Sequence, residues 1–209
     1  MRVDIWSDII CPWCYIGKSR FAAALAGFEH RGQVEVIYRS FELDPAYPAD
    51  RQTPVLDMLA AKYGMSLRQA RDAESAVAAK AAADGLRFTP DRLMGNTFDA
   101  HRLVHLAADR GVQDRVLQRL FEAYFGDGLP VFEAGQLTAL AAGAGLDPAE
   151  AGRALADGSY GDAVREDEEK ASALGISGVP FFVIDNKYGV SGAQPADMLA
   201  MALEQAWNA

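Results

Sequence analysis

The strand signals in this chain sit only at its two ends, and neither end carries enough of them to complete a sheet. Residues 2–7 (Arg-Val-Asp-Ile-Trp-Ser) alternate and are β-rich, and so do residues 33–43. Between them Pro12 stands where a helix would begin, with Cys14, Phe21, Leu25 and Phe28 spaced along one helical face. A strand–helix–strand unit implies a right-handed crossover and a parallel pair. At the other end, Pro180-Phe181-Phe182-Val183-Ile184 reads as a short apolar strand and Asp185-Asn186-Lys187 as a turn. Tyr188 to Gly192 is the hairpin partner, and a helix closes the chain over 195–207. The two ends must therefore find each other to build one sheet.

The middle of the chain reads almost wholly as helix. Asp44-Pro45-Ala46-Tyr47-Pro48 ends the second strand, and Thr53-Pro54 reads as an N-cap followed by proline at the first helical position. Helices are expected at about 54–63, 66–84, 97–110, 113–125, 133–143, 148–156 and 160–174, with 85–93 as an extended connector. The expected organisation is a discontinuous α/β domain from 1–48 and 176–209, with an all-helical insertion over 49–175 between its β-α-β and β-β-α halves. No repeat of solenoid length is visible.

Composition narrows the function. Of 209 residues half are hydrophobic, enough for a core without disulfide staples. Asp and Glu number 29 against 20 Lys and Arg, a formal charge of −9. That balance excludes a general nucleic-acid binder and adhesion to an anionic membrane, and no apolar run reaches the ~18 residues a span requires. The opening Met1-Arg2-Val3-Asp4-Ile5-Trp6-Ser7-Asp8 carries two acids where a secretory signal would be apolar, so the expected location is the cytoplasm.

The only two cysteines form Cys11-Pro12-Trp13-Cys14, at the first strand-to-helix junction. A helix N-terminus presents unpaired N–H groups and the positive end of the macrodipole, which favours a thiolate. The thiolate is the species that attacks disulfides, and a second thiol one turn on can resolve the mixed disulfide. Cys11 is thus expected as the exposed nucleophile and Cys14 as the buried resolving thiol. Structural zinc would need two further ligands, and three histidines, His30, His101 and His105, do not supply them in pattern. His101 and His105 have the i, i+4 spacing of a ligand pair, but Arg102-Leu103-Val104 between them lacks the glutamate of the zinc-protease motif. No metal is expected.

These residues resemble the DsbA family of the thioredoxin superfamily. The run from Asp4 through Cys11-Pro12-Trp13-Cys14-Tyr15-Ile16-Gly17-Lys18 is most similar to its FrnE-like cytosolic branch, as are Asn96-Thr97-Phe98-Asp99-Ala100-His101-Arg102 and Gly178-Val179-Pro180-Phe181-Phe182-Val183. The resemblance spans nearly the whole chain. It implies a thioredoxin-like fold, a cis Val179-Pro180 bond beside the cysteines, and thiol–disulfide oxidoreductase activity with no cofactor beyond the redox-active disulfide. Pro12, Trp13, Val179, Pro180, Asn96 and His101 are the candidate substrate contacts, with the Val179 backbone offered to an extended segment. Asn96 is also a good N-cap. The implied partner is a disulfide- or thiol-containing protein or peptide, or a small thiol, with glutathione as reductant or co-substrate. Nothing demands an oligomer, so monomer and homodimer both fit.

Two departures matter. Many members of the superfamily carry a buried acid six residues before the first cysteine, where this chain has Ile5. Asp4 should face the other way on a strand, and Asp8 is the nearest remaining carboxylate. The intervening residues are Pro-Trp, without histidine, so an extremely oxidising potential is not implied and the dithiol is the expected resting form in a reducing cytosol. Glutathione-dependent relatives (2-hydroxychromene-2-carboxylate isomerase, kappa-class glutathione transferase) share the expected fold but place serine at the first cysteine, and Cys11 argues against that chemistry. A non-catalytic chaperone using the helical block is a third reading. Elsewhere, Phe121, Tyr124 and Phe125 read as core, and Arg165 to Lys170 as the solvated face of a helix.

Overall fold

The computed structural model describes all 209 residues. The first part of the chain forms β1 (Arg2–Ser7), α1 (Pro12–Gly27), β2 (Glu35–Ser40) and the two-residue β3 (Thr53–Pro54). Next come α2 (Val55–Tyr63), α3 (Leu67–Ala83), β4 (Leu93–Met94), α4 (Phe98–Asp109), α5 (Gln113–Phe121), α6 (Ala134–Gly143) and α7 (Pro148–Asp157). The chain closes with α8 (Gly161–Ala173), β5 (Phe181–Ile184), β6 (Tyr188–Ser191) and α9 (Ala196–Trp207). This is the expected α/β architecture, a sheet built from both chain ends with a helical block between them in sequence.

The chain divides into two compact units, Met1–Leu43 with Val164–Ala209, and Asp44–Ala163. In the first, four strands lie in the order β2-β1-β5-β6. β1 is central. It runs parallel to β2, with Ile5 opposite Tyr38, and antiparallel to β5, with Ile5 opposite Phe182 and Trp6 opposite Phe181. β5 and β6 form the hairpin, turned by Asp185 and Asn186, both at positive φ.

Alternation along β1 gives its two faces different jobs. Ile5 and its neighbour Phe182 are buried toward α1, whose Phe21 ring lies 5.4 Å from that of Phe182. Trp6 faces the other way and packs with Ala171, Ile176 and Val183. The Trp6 indole N–H donates to the Asp167 carbonyl at 2.9 Å. On the same face Arg39 joins the Asp4 and Asp167 carboxylates at 2.7 and 3.0 Å, and Ser40 N–H donates to Asp167 at 2.9 Å.

The run 165–170 is solvated at Arg165, Glu166 and Glu169, as expected, but Asp167 departs from that reading and is buried, while Arg165 pairs with Glu42 and Glu168. A charge run can line an interior when each acid meets a cation or an amide. The same contacts place α8 from Val164 onward with the sheet unit, although its sequence pattern reads as part of the insertion.

The second unit holds α2 to α7. Phe121, Tyr124 and Phe125 are fully buried there, as expected, but α5 ends at Phe121 and runs into one π-helical turn, Glu122–Gly126. Thr53 and Pro54 differ from expectation: they pair with Met94 and Leu93 as β3 and β4, and α2 starts at Val55. A strand bridge of two residues carries no periodicity to read.

Candidate active site

A tight turn carries the chain from β1 into α1. The Cys11 N–H donates to the Asp8 carbonyl at 3.1 Å, and Cys11 takes the N-cap position with extended backbone, φ −83° and ψ 115°. Pro12 follows as the first helical residue, where its missing N–H costs nothing. The Cys11 carbonyl accepts from the N–H groups of Cys14 and Tyr15 at 3.0 and 3.3 Å. The two sulfurs therefore leave the first turn of one helix, Cys11 at the positive end of its dipole.

Both cysteines are free thiols and both are buried, Cys11 at 3% and Cys14 at 2% exposure. This corrects the expectation of an exposed Cys11. Its sulfur turns inward, and the thiol donates to the Val179 carbonyl at 3.5 Å. That carbonyl is engaged in this state rather than idle. Trp13, 38% exposed, is the most exposed residue of the motif, and Pro12 is half-buried. Cys14 lies deeper and receives two donors. The Asp8 backbone N–H donates to its sulfur at 3.5 Å, and the Ser7 hydroxyl bonds to it as well. Burial pushes the Cys14 thiol well above the ordinary cysteine range, and its bond to and charge interaction with Cys11 push the same way. Ser7 and the Asp8 amide act in the opposite sense.

The Asp8 carboxylate is wholly buried, yet it serves the backbone. It accepts from Leu43 N–H at 2.8 Å and from Ile10 N–H at 3.5 Å. Asp4 faces away from α1, as alternation requires. Burial raises its carboxyl, but Arg2 and Arg39 together outweigh that and hold it below the usual carboxylate range.

The Val179-Pro180 peptide is cis, and Pro180 is buried. Its ring lies against α1 at Gly17: a Cβ on Gly17 would stand 2.8 Å from Pro180 Cγ. The Pro180 carbonyl accepts from Gly192 N–H at 2.8 Å, tying the proline to the end of β6.

Cys11, Cys14 and Val179 are thus brought together, with Pro180 beside α1. Asn96 and His101 lie in the helical unit. The Asn96 carboxamide donates to the Tyr47 carbonyl and accepts from Phe98 N–H, both at 2.9 Å, capping α4 from one residue before its N-cap Thr97. His101 is buried on α4.

Sequence reasoning missed Ser7 and Gly17. The signal for Ser7 was a hydroxyl on the inward face of a strand whose other inward residues, Val3 and Ile5, are apolar. Gly17, a glycine one turn beyond Cys14 in a helix interior, signalled close approach of another element. Chemically, two buried thiols at one helix start can pass between dithiol and disulfide, and burial makes Cys14 hard to ionise.

The chain is similar to known proteins in sequence and fold. A family model described as DsbA-like thioredoxin domain matches residues 2–204. The crystal structure of a probable DsbA oxidoreductase from Streptomyces coelicolor superposes with a TM-score of 0.95 at 54% identity, covering 100% of this chain and 90% of that one. A 2-hydroxychromene-2-carboxylate isomerase shares the fold, with a TM-score of 0.76 at 16% identity over 100% of this chain and 97% of that one. So does the cytosolic disulfide reductase DsbM from Pseudomonas aeruginosa with GSH, with a TM-score of 0.67 at 18% identity over 100% of both chains.

Proposed function

The chain belongs to the DsbA-like thioredoxin domain family, and from that premise we propose that it is a thiol–disulfide oxidoreductase acting through Cys11 and Cys14. In the reducing direction the Cys11 thiolate attacks a substrate disulfide and one substrate sulfur leaves as thiolate. Cys14 then attacks Cys11 Sγ, the Cys11–Cys14 disulfide forms, and the second substrate thiol departs. Two electrons pass from protein to substrate. In the oxidising direction the same steps run backward. The observation that carries this reading is the pair of free thiols at the start of α1, with the Cys11 thiol against the Val179 carbonyl.

Trp13 offers an exposed aromatic surface beside the sulfurs, which suits an apolar peptide or a small thiol such as glutathione. Glutathione is also the natural reductant in the cytoplasm, where this reading places the protein. The cytosolic description of DsbM supports that placement, and no helix of the chain is long and apolar enough to cross a membrane.

Insulin reduction and oxidation of a dithiol peptide test the proposal. Cys11→Ser should lower both rates by at least about a hundredfold, since the attacking sulfur is gone. Cys14→Ser should accumulate a mixed disulfide at Cys11, read as a mass gain that dithiothreitol removes. Full activity in Cys11→Ser would refute the assignment.

A further inference from the structure

Ser7 and the Asp8 amide converge on one buried sulfur, and neither takes part in the exchange at Cys11. Given the thiol–disulfide exchange proposed for Cys11 and Cys14, on which this inference rests, we propose that Ser7 is a catalytic residue. Its hydroxyl and the Asp8 backbone N–H form a two-donor cradle for the Cys14 sulfur whenever that sulfur carries negative charge.

Cys14 is too deeply buried for water to solvate it, so a charge there must be met by donors of the protein itself. The Asp8 N–H stands 3.5 Å from Cys14 Sγ. Its aim is fixed because the Asp8 carboxylate accepts from Ile10 and Leu43 and so locks the turn. Ser7 is the last residue of β1, the central strand, paired with Ser40 of β2. A hydroxyl on a paired strand is held more tightly than one on a loop. It is buried on the face that meets α1 and bonds to Cys14.

The cradle serves both directions. In the mixed disulfide Cys11–S–S–R, Cys14 gives up its proton and its thiolate attacks Cys11 Sγ. The Cys11–Cys14 bond forms, the bond to R breaks with its electron pair on R, and RS⁻ takes up the proton Cys14 released. In reverse, an external thiolate attacks Cys11 Sγ, the Cys11–Cys14 bond breaks, and the pair leaves on Cys14 between the two donors. Lowering the energy of that thiolate speeds either step.

The test uses the full oxidised chain and reduced glutathione. Opening of the Cys11–Cys14 disulfide is followed by alkylation quench and mass spectrometry of the glutathione adduct at Cys11. Ser7→Ala should slow opening about tenfold, the effect of one hydrogen bond to a charged group. Ser7→Thr, which keeps the hydroxyl, should stay within about threefold of the parent by the same measure. In a Cys11→Ala background, where Cys14 is the single thiol, Ser7→Ala should move its titration up by about one unit. A merely structural serine would leave that titration where it was. An unchanged opening rate and an unchanged Cys14 titration in Ser7→Ala would overturn the role of Ser7 while the exchange stands. An adduct that forms elsewhere than Cys11 would overturn the exchange itself, and the cradle with it.

Discussion

At Cys14 effects of opposite sign meet: burial first, and then the neighbouring Cys11, oppose the thiolate, Ser7 and the Asp8 amide favour it, and the opposition wins. The consequence is kinetic. An acid with a raised pKa is mostly protonated at neutral pH, and its thiolate fraction grows as pH rises. The resolving step should therefore accelerate by about tenfold per pH unit, without a plateau between about pH 6 and 8. Single-turnover release of glutathione from the Cys11 adduct measures it, and a rate that levels off in that range would contradict it. The cysteine motif is legible in sequence because its residues are contiguous and its spacing is one helical turn. The donors to Cys14 are not. A serine at the end of a strand has many uses, and only packing of α1 on β1 puts its hydroxyl on that sulfur. The burial of Cys11 was equally hidden, because it depends on Val179 from the far end of the chain.

At the scale of elements, the docking of α1 is set by Gly17. Alanine there should gain helix propensity of about 1 kcal/mol, but its Cβ would meet Pro180 Cγ at 2.8 Å. The proline ring cannot swing aside as a flexible side chain would, so α1 or the segment before β5 must move. Gly17→Ala should lower stability by a net of about 1–2 kcal/mol, as overpacking of a close contact does, and slow insulin reduction as well. Urea melts with a matched activity assay check this, and a stabilised, fully active variant would refute it. Helix limits were legible within a residue or two, as over 66–84, where α3 spans Leu67–Ala83 and the Ser66 and Gln69 side chains make its capping box. Where the signal is tertiary the reading failed. Thr53-Pro54 has the form of a helix start, yet the Leu93–Met94 segment recruits it into a bridge.

At the scale of the whole molecule, the sheet unit must hold together segments from both chain ends, and an ion network on one face of β1 helps to do so. Arg39 on β2 links Asp4 on β1 to Asp167 on α8, and Arg2 also pairs with Asp4. Asp4 has a depressed pKa in the fold, so its contribution is complete above the unfolded carboxylate value of about 3.9 and is lost as pH falls through the folded value. Asp4→Asn should cost about 2 kcal/mol at neutral pH, with the difference from the parent narrowing below about pH 4. Urea midpoints across that range test the sign, and a gap that widens in acid would refute it. The sequence by itself determined that strands at the two ends must share a sheet around a helical block, and that a CxxC opens the first helix. Those features are local, written in periodicity and short spacing. Only the tertiary structure decided that both thiols are buried, that Ser7 and the Asp8 amide serve Cys14, and that α8 joins the sheet through Asp167. Each of these depends on residues that packing brings face to face or joins from opposite ends of the chain, and no pattern along the sequence encodes such contacts.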